Sequence, residues 1–255
     1  MAGSPLEIDT SVEQNAQKIA PWLGGYFEVG GIMAFNLDRD ARRGKTYAYP
    51  FIVTGDENTK VALTFKGMFE GSVTRHYNSL NWRASGMRAY IIASTFAAYA
   101  PSRKEFMEAL TNWANSDLEE RVQIAKEMKG YNRFEAASVE NYESLTSNPD
   151  FLAGVIDNRG TILLTEGRTK LYPRLDVNSS NRPLLDNLVR HYGGRIIVAD
   201  QAGDSRMILG RTTKLTRDSI YWRPTSASAI EIFDLIMPHL KFKGDRVREV
   251  LSLGT

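Results

Sequence analysis

Apolar and polar positions change rhythm repeatedly along this chain, and the changes outline its elements. A helix is predicted over roughly Val12 to Gly30, with small residues set into the middle of an apolar run. Two strands follow, Ile32–Leu37 and Thr46–Val53, where apolar and polar residues partly alternate between turn residues. "DENTKVALTFKGMF" reads as a helix with Asp56 or Asn58 as its N-cap. "SVTRHYN" and "LNWRAS" read as a hairpin, and "GMRAYIIASTFAAYA" as an apolar helix ending before Pro101. Two further helices are predicted over Ser102–Asn115 and Asp117–Lys129. From Asn148 onward the first set of elements returns in the same order. Connections between strands are too short for parallel crossovers, so the expected class is α+β with antiparallel hairpins.

The return is visible in the letters as well as the rhythm. "WLGGYFEVGGIMAF" (Trp22 to Phe35) matches "FLAGVIDNRGTILL" (Phe151 to Leu164). "MFEGSV" matches "HYGGRI", pairing Phe69 with Tyr192, and "NWRASGMRAYII" matches "YWRPTSASAIEI", pairing Trp82 with Trp222. Three landmarks in one order with drifting spacing are what duplication with loop-length change leaves behind. The longer first hairpin belongs to the first copy and the longer second hairpin to the second. The expected organisation is a first repeat over 1–116, a helical connector over 117–147 and a second repeat over 148–255.

A glycine inside a helix costs about 1 kcal/mol relative to alanine. Gly24–Gly25 and Ala153–Gly154, repeated at one place in both copies, suggest two helices that approach backbone to backbone.

Composition narrows the chemistry. The chain has 255 residues, 42% of them hydrophobic and 24% charged, ordinary for a globular protein. No run is long and apolar enough for a membrane span, and the N-terminus lacks the layout of a secretory signal. There is no cysteine, which removes disulfides, thiolate metal sites and Cys nucleophiles and fits an intracellular protein, cytoplasmic or in an organelle matrix. His76, His191 and His239 show no metal-ligand spacing, and no phosphate loop or nucleophile elbow is present. With 32 basic and 30 acidic residues the net charge is +2, so a basic surface depends on uneven placement. "RDARRGK" (Arg39 to Lys45) is basic, as is the stretch from Arg195 to Arg223, with Arg206, Arg211, Lys214 and Arg217.

The doubled "LGGYFEVGG" and "LAGVIDNRG", with "FEG" and "YGG", "NWRAS" and "YWRPT", and "IMPHLKFKGDRV" after the last apolar helix, resemble the LAGLIDADG homing endonucleases in their single-chain, two-repeat form. The resemblance covers nearly the whole chain. It implies a pseudo-two-fold pair of αββαββα halves, with the motif helices at their interface and a four-stranded saddle sheet in each half lying along a DNA major groove. It implies a monomer with no obligate homodimer. In that family the last acidic residue of each motif binds Mg²⁺ at the scissile phosphates, where paired cations stabilise attacking and leaving oxygens.

Here those two positions are Gly30 and Arg159. Glycine offers no ligand, and arginine has no acceptor atom and is permanently cationic. The expectation is therefore a nucleic-acid-binding protein that has lost its nuclease, with no metal and no cofactor. Its partner would be DNA or structured RNA. Two alternatives stand beside it: a structural protein of a ribonucleoprotein complex such as a ribosome, and a residual nuclease with relocated ligands. Glu28 and Asp157 lie two positions earlier, rotated about 200° around the helix. Candidate contacts to nucleic acid are Arg159, facing a phosphate directly, and Lys243, in line with a basic residue the family places near its active site. The hairpins add Arg75, Arg83, Lys170, Arg174, Arg195, Arg206 and Arg211. On the first sheet the expected groove-facing set is Ile32, Ala34, Asn36 and Asp38 with Thr46, Ala48, Pro50 and Ile52. On the second it includes Lys170, Tyr172, Arg174 and Asp176.

Overall fold

The structure, a computed structural model, describes residues 10–56, 59–76, 79–129, 137–167, 170–200, 205–208, 211–214 and 219–254. In chain order the first copy runs α1 (Thr10–Lys18), α2 (Ala20–Val29), β1 (Ile32–Asp40), β2 (Lys45–Asp56), α3 (Thr59–Phe69), β3 (Ser72–His76), β4 (Ser79–Ser85) and α4 (Met87–Phe96). Helices α5 (Lys104–Asn115), α6 (Leu118–Glu127) and α7 (Glu143–Thr146) lie between the copies. The second copy runs α8 (Pro149–Arg159), β5 (Gly160–Glu166), β6 (Leu171–Asn178), α9 (Arg182–Tyr192), β7 (Arg195–Asp200), β8 (Ser205–Ile208), β9 (Arg211–Lys214), β10 (Ser219–Arg223), α10 (Ser226–Ile236) and α11 (Gly244–Leu253). The cap expected at Asp56 or Asn58, Arg217, and the side chains of Arg206, Arg211 and Lys214 fall outside the described part.

The α+β class holds, and the duplication is explicit in the topology. One antiparallel sheet has the order β1-β2-β4-β3 and the other β5-β6-β10-β7. The longer second hairpin of the second copy is β8 paired with β9, inserted between β7 and β10. The helix expected over Val12 to Gly30 is two helices. Pro21 has no N–H to donate back to Gln17, so α1 stops at Lys18 and α2 begins afresh.

The chain forms two compact units that do not follow the repeat boundaries. One comprises Met1–Ala20, Gly31–Ala98 and Arg103–Asn132; the other comprises Pro21–Gly30, Tyr99–Ser102 and Arg133–Thr255. The motif helix of the first copy thus sits in the unit formed mainly by the second. In the first unit Ala48, Ile52, Phe65, Trp82 and Ile92 are buried. Trp113 of α5 donates to the Ala48 carbonyl at 2.9 Å, fixing that helix on β2. In the second unit Leu152, Leu175, Val177, Trp222 and Phe233 are buried.

The companion signatures have one local purpose in each copy. Gly71 and Gly194 adopt φ of +83° and +86°, in the left-handed region that suits glycine. A Cβ would lie 2.5 Å from the Arg83 carbonyl in one and 2.3 Å from the Arg223 carbonyl in the other. The indole of Trp82 donates to the Glu70 carbonyl, and that of Trp222 to the Gly193 carbonyl at 2.8 Å. "FEG" with "NWR" and "YGG" with "YWR" are therefore the same pinned turn, built twice.

Candidate functional site

Small residues let α2 and α8 touch along their backbones. A Cβ on Gly25 would lie 2.0 Å from the Phe151 carbonyl oxygen, and a Cβ on Gly154 would lie 2.0 Å from that of Trp22. These two glycines form the seam reciprocally. Gly24 serves a different contact: its Cβ would meet Tyr99, 2.2 Å from that residue's own Cβ. Ala153 is fully buried.

The seam ends at the positions of chemical interest. Gly30 is not an open space. A Cβ there would lie 2.4 Å from both terminal atoms of the Asn158 side chain, which itself donates to the Tyr26 carbonyl at 2.8 Å. Arg159 is exposed, and its Nε donates to the Val29 carbonyl at 3.3 Å. Asn158 and Arg159 both donate to carbonyls in the last turn of α2. Lys243 lies at the end of α8, donating from Nζ to Ile156 O at 2.9 Å, which also accepts from the Gly160 N–H, and to Gly160 O at 2.6 Å. Arg103, which no motif reading singled out, reaches the Gly31 carbonyl at 3.3 Å in the first unit. It follows the apolar helix and Pro101 as Lys243 follows α10, and that shared position was its one sequence signal.

The two acids further back point inward, as the rotation along the helix predicts. Asp157 is buried and accepts four hydrogen bonds: from Trp22 Nε1 at 3.0 Å and from the backbone N–H groups of Lys241, Phe242 and Lys243 at 2.7, 3.1 and 2.9 Å. Burial pushes its carboxyl pKa up, while those donors pull the other way. Glu28 is fully buried and accepts from the Tyr142 hydroxyl, from Asn181 Nδ2 at 2.7 Å and from the Ser102 N–H at 3.2 Å. Burial and the neighbouring carboxylate push the Tyr142 phenol well above its ordinary range.

A Mg²⁺ site needs hard oxygen ligands, usually including a carboxylate. The motif ends present an amide side chain, a guanidinium and an ammonium instead. No group of three or more His, Asp or Glu capable of holding a metal occurs among the described residues. The residues here do not fit the cation.

The sheets carry the remaining candidates. On the first sheet, Ala34 pairs with Phe51, Asn36 with Tyr49 and Asp38 with Tyr47. Directly paired residues share a face, so the open set on β2 is Tyr47, Tyr49, Phe51 and Val53. Ala48, Pro50 and Ile52 are buried on the helix side, and the expected set Thr46, Ala48, Pro50 and Ile52 is out of phase by one residue. Aromatic residues on the open side had masked the alternation. Arg83 is on the open face, its guanidinium carbon 4.2 Å from the centre of the Phe51 ring. Arg75 is exposed but pairs with Leu80, on the side of Trp82, so it does not join Arg83.

On the second sheet Tyr172, Arg174 and Asp176 share the open face as expected. Lys170 lies 5.4 Å from the Tyr172 ring centre, and exposed Arg195 pairs with Arg223. Arg174 is not a free cation. It and Arg223 clasp Asp176, with contacts of 2.5 Å from Arg174 NH2 and 2.6 Å from Arg223 Nε. Arg223 is a charged residue of this face that sequence reading had left inside the "YWRPT" landmark. Burial of Asp176 opposes its ionisation, but the two arginines outweigh it and hold the carboxyl below its usual range. Its stabilising contribution is therefore full above the unfolded value of about 3.9 and lost as pH falls through the depressed folded value. Asp176→Asn should cost about 1.5–3 kcal/mol at neutral pH. The gap between variant and wild-type melting curves should narrow as pH falls through that depressed value; a gap unchanged in acid would show that the carboxylate charge is not the source.

No protein-family model matches the sequence, and no curated protein matches it. Solved structures match at the level of fold. The I-SmaMI LAGLIDADG homing endonuclease bound to cleaved DNA is 15% identical, with a TM-score of 0.60 over 91% of this chain and 87% of that one. I-GzeII in complex with its DNA target is 14% identical, with a TM-score of 0.59 over 91% and 88%. I-LtrWI bound to target DNA is 12% identical, with a TM-score of 0.59 over 93% and 89%. The duplicated αββαββα topology and the glycine seam thus define a two-repeat α+β protein of one architectural class. That class is the LAGLIDADG fold of the homing endonucleases. Among the described residues no helix is long and apolar enough to cross a membrane.

Proposed function

We propose that this chain is a nucleic-acid-binding protein of the LAGLIDADG fold that has no endonuclease activity. The observation that carries the reading is the replacement of both motif acids by Gly30 and Arg159, with Asn158 and Arg159 turned onto the end of α2. A cation-binding pair of carboxylates has become a helix cap with a positive charge. The similar structures I-SmaMI, I-GzeII and I-LtrWI are bound to DNA, which supports DNA as a partner; structured RNA would meet the same exposed arginines and lysines.

Binding and cleavage separate cleanly in one experiment. The purified chain should bind duplex DNA or structured RNA with an affinity that falls steeply with salt, by a slope of about −0.9 per neutralised phosphate on B-DNA. With Mg²⁺ or Mn²⁺ added to a bound site, the DNA should stay intact. A clean double-strand break would overturn the loss of activity. Binding that is flat in salt on every nucleic acid would favour a protein partner in a ribonucleoprotein.

A further inference from the structure

The open face of the first sheet is badly composed for reading a DNA groove. Groove readout needs long donors and cations reaching base edges. On this face the Asn36 amide is engaged with the Tyr49 hydroxyl at 2.7 Å, and Arg83 lies over Phe51. What the face offers instead is a row of rings. Tyr47, Tyr49 and Phe51 stand at alternate positions of β2, all half-buried, with 58%-exposed Ile32 and Ala34 on the neighbouring strand. Alternate residues of a strand are about 6.6–6.8 Å apart, a spacing that admits extended, unstacked nucleotides and not the tight stack inside a duplex. Cations accompany the rings. Arg83 covers Phe51, and exposed Arg42, Arg43 and Lys45 adjoin Tyr47 at the β1–β2 turn. Asp38 and Asp40 oppose them, Asp40 already pairing with Arg43 at 3.7 Å, and Asp117 and Glu119 line a recess with Lys45. The second unit repeats the combination on its own sheet, with Lys170 at the Tyr172 ring and Arg223 5.1 Å from the Tyr221 ring centre.

We propose that this sheet face is a stacking platform for unpaired nucleotides: Tyr47 and Tyr49 take bases, Phe51 holds the Arg83 guanidinium flat against its ring, and Arg83 with the Arg42–Arg43–Lys45 turn takes phosphates. The proposal rests on the nucleic-acid-binding reading above and names the substrate class for that site. Rings with cations beside them are what single strands require, because every base has a π-face and every linkage a charge.

The test uses the full chain and three short oligonucleotides: a mixed-sequence single strand carrying one 2-aminopurine, the same sequence as RNA, and its duplex. The single strands should bind at least as tightly as the duplex, and stacking should quench the 2-aminopurine fluorescence. Tyr47→Ala and Tyr49→Ala should each weaken single-strand binding by roughly five- to a hundred-fold without changing the salt slope. Arg83→Gln should lower that slope by about 0.7, and Tyr47→Phe should bind as wild type does. Melting curves establish that each variant is folded; should Tyr49→Ala unfold, Tyr47→Ala at the turn end carries the test. Duplex or hairpin binding that ignores Tyr47 and Tyr49 would overturn the platform while leaving the nucleic-acid reading intact. Failure to bind any of the three oligonucleotides, or any structured RNA, would overturn both.

Discussion

Gly154→Val should move the urea unfolding midpoint far below that of the wild-type protein. The Cβ alone would lie 2.0 Å from the Trp22 carbonyl oxygen and 2.8 Å from the Tyr26 nitrogen. Both are backbone atoms in a helix, so no side chain can rotate away. The helices would have to separate along their whole seam. That would strip packing from Leu23, Phe27, Leu152 and Val155, all fully buried. It would also break the bonds from Asn158 to Tyr26, Arg159 to Val29 and Trp22 to Asp157. Overpacking usually costs about 1–3 kcal/mol where side chains can adjust. Here backbone meets backbone, and the expected loss exceeds about 4 kcal/mol, a large part of a typical domain's 5–15 kcal/mol. Gly67→Ala is the matched control. It lies in α3 with nothing within 4 Å of its Cβ and should gain about 0.5–1 kcal/mol. Urea denaturation of the three proteins decides the matter; a Gly154→Val midpoint close to wild type would mean the seam is not as tight as the geometry states.

Asp157→Ala should also be strongly destabilising. It removes the carboxylate that accepts from the Trp22 indole and from three consecutive backbone N–H groups, those of Lys241, Phe242 and Lys243. Each buried unsatisfied group costs about 1–3 kcal/mol. Water entering the gap relieves part of this, so a loss of about 4 kcal/mol or more is expected. Asp157→Asn keeps the shape but turns an amide NH₂ toward donors, and should fall between wild type and alanine. Thermal melts give the order. If alanine proves no worse than asparagine, the acceptor role assigned to the carboxylate is wrong.

These two residues also mark how far the sequence could be read. The doubled small-residue motif announced a helix pair, and Gly25 and Gly154 meet as that pattern implied. Gly24 was indistinguishable from Gly25 in the letters, because only the fold reveals that it faces Tyr99. Asp157 could be predicted to turn away from the helix end, but its partners could not be named. Three of them are backbone N–H groups, which every non-proline residue carries, so they leave no mark in the sequence. Asn158 lay hidden for a related reason: its importance comes from the space beside Gly30, at the far side of the repeat. On β2 the periodicity was present but ambiguous, since buried Ala48, Pro50 and Ile52 alternate with equally apolar-looking Tyr47, Tyr49 and Phe51. Burial favours apolar residues inside, yet it does not forbid them outside.

The assignment of Pro21–Gly30 to the second compact unit has a consequence for how the molecule is made. Trp22 and Asp157 are 135 residues apart, so α2 leaves the ribosome long before α8 exists. The intervening strands and helices of the first unit can fold as they emerge, since N-terminal elements generally do so during synthesis. The apolar segment from Trp22 to Val29 has to pass that interval without its final partner. Its docking closes a long loop, the slow kind of step in folding. The backbone-to-backbone contact of α2 with α8 is therefore expected among the last to form, leaving that one apolar helix waiting for its partner through most of synthesis.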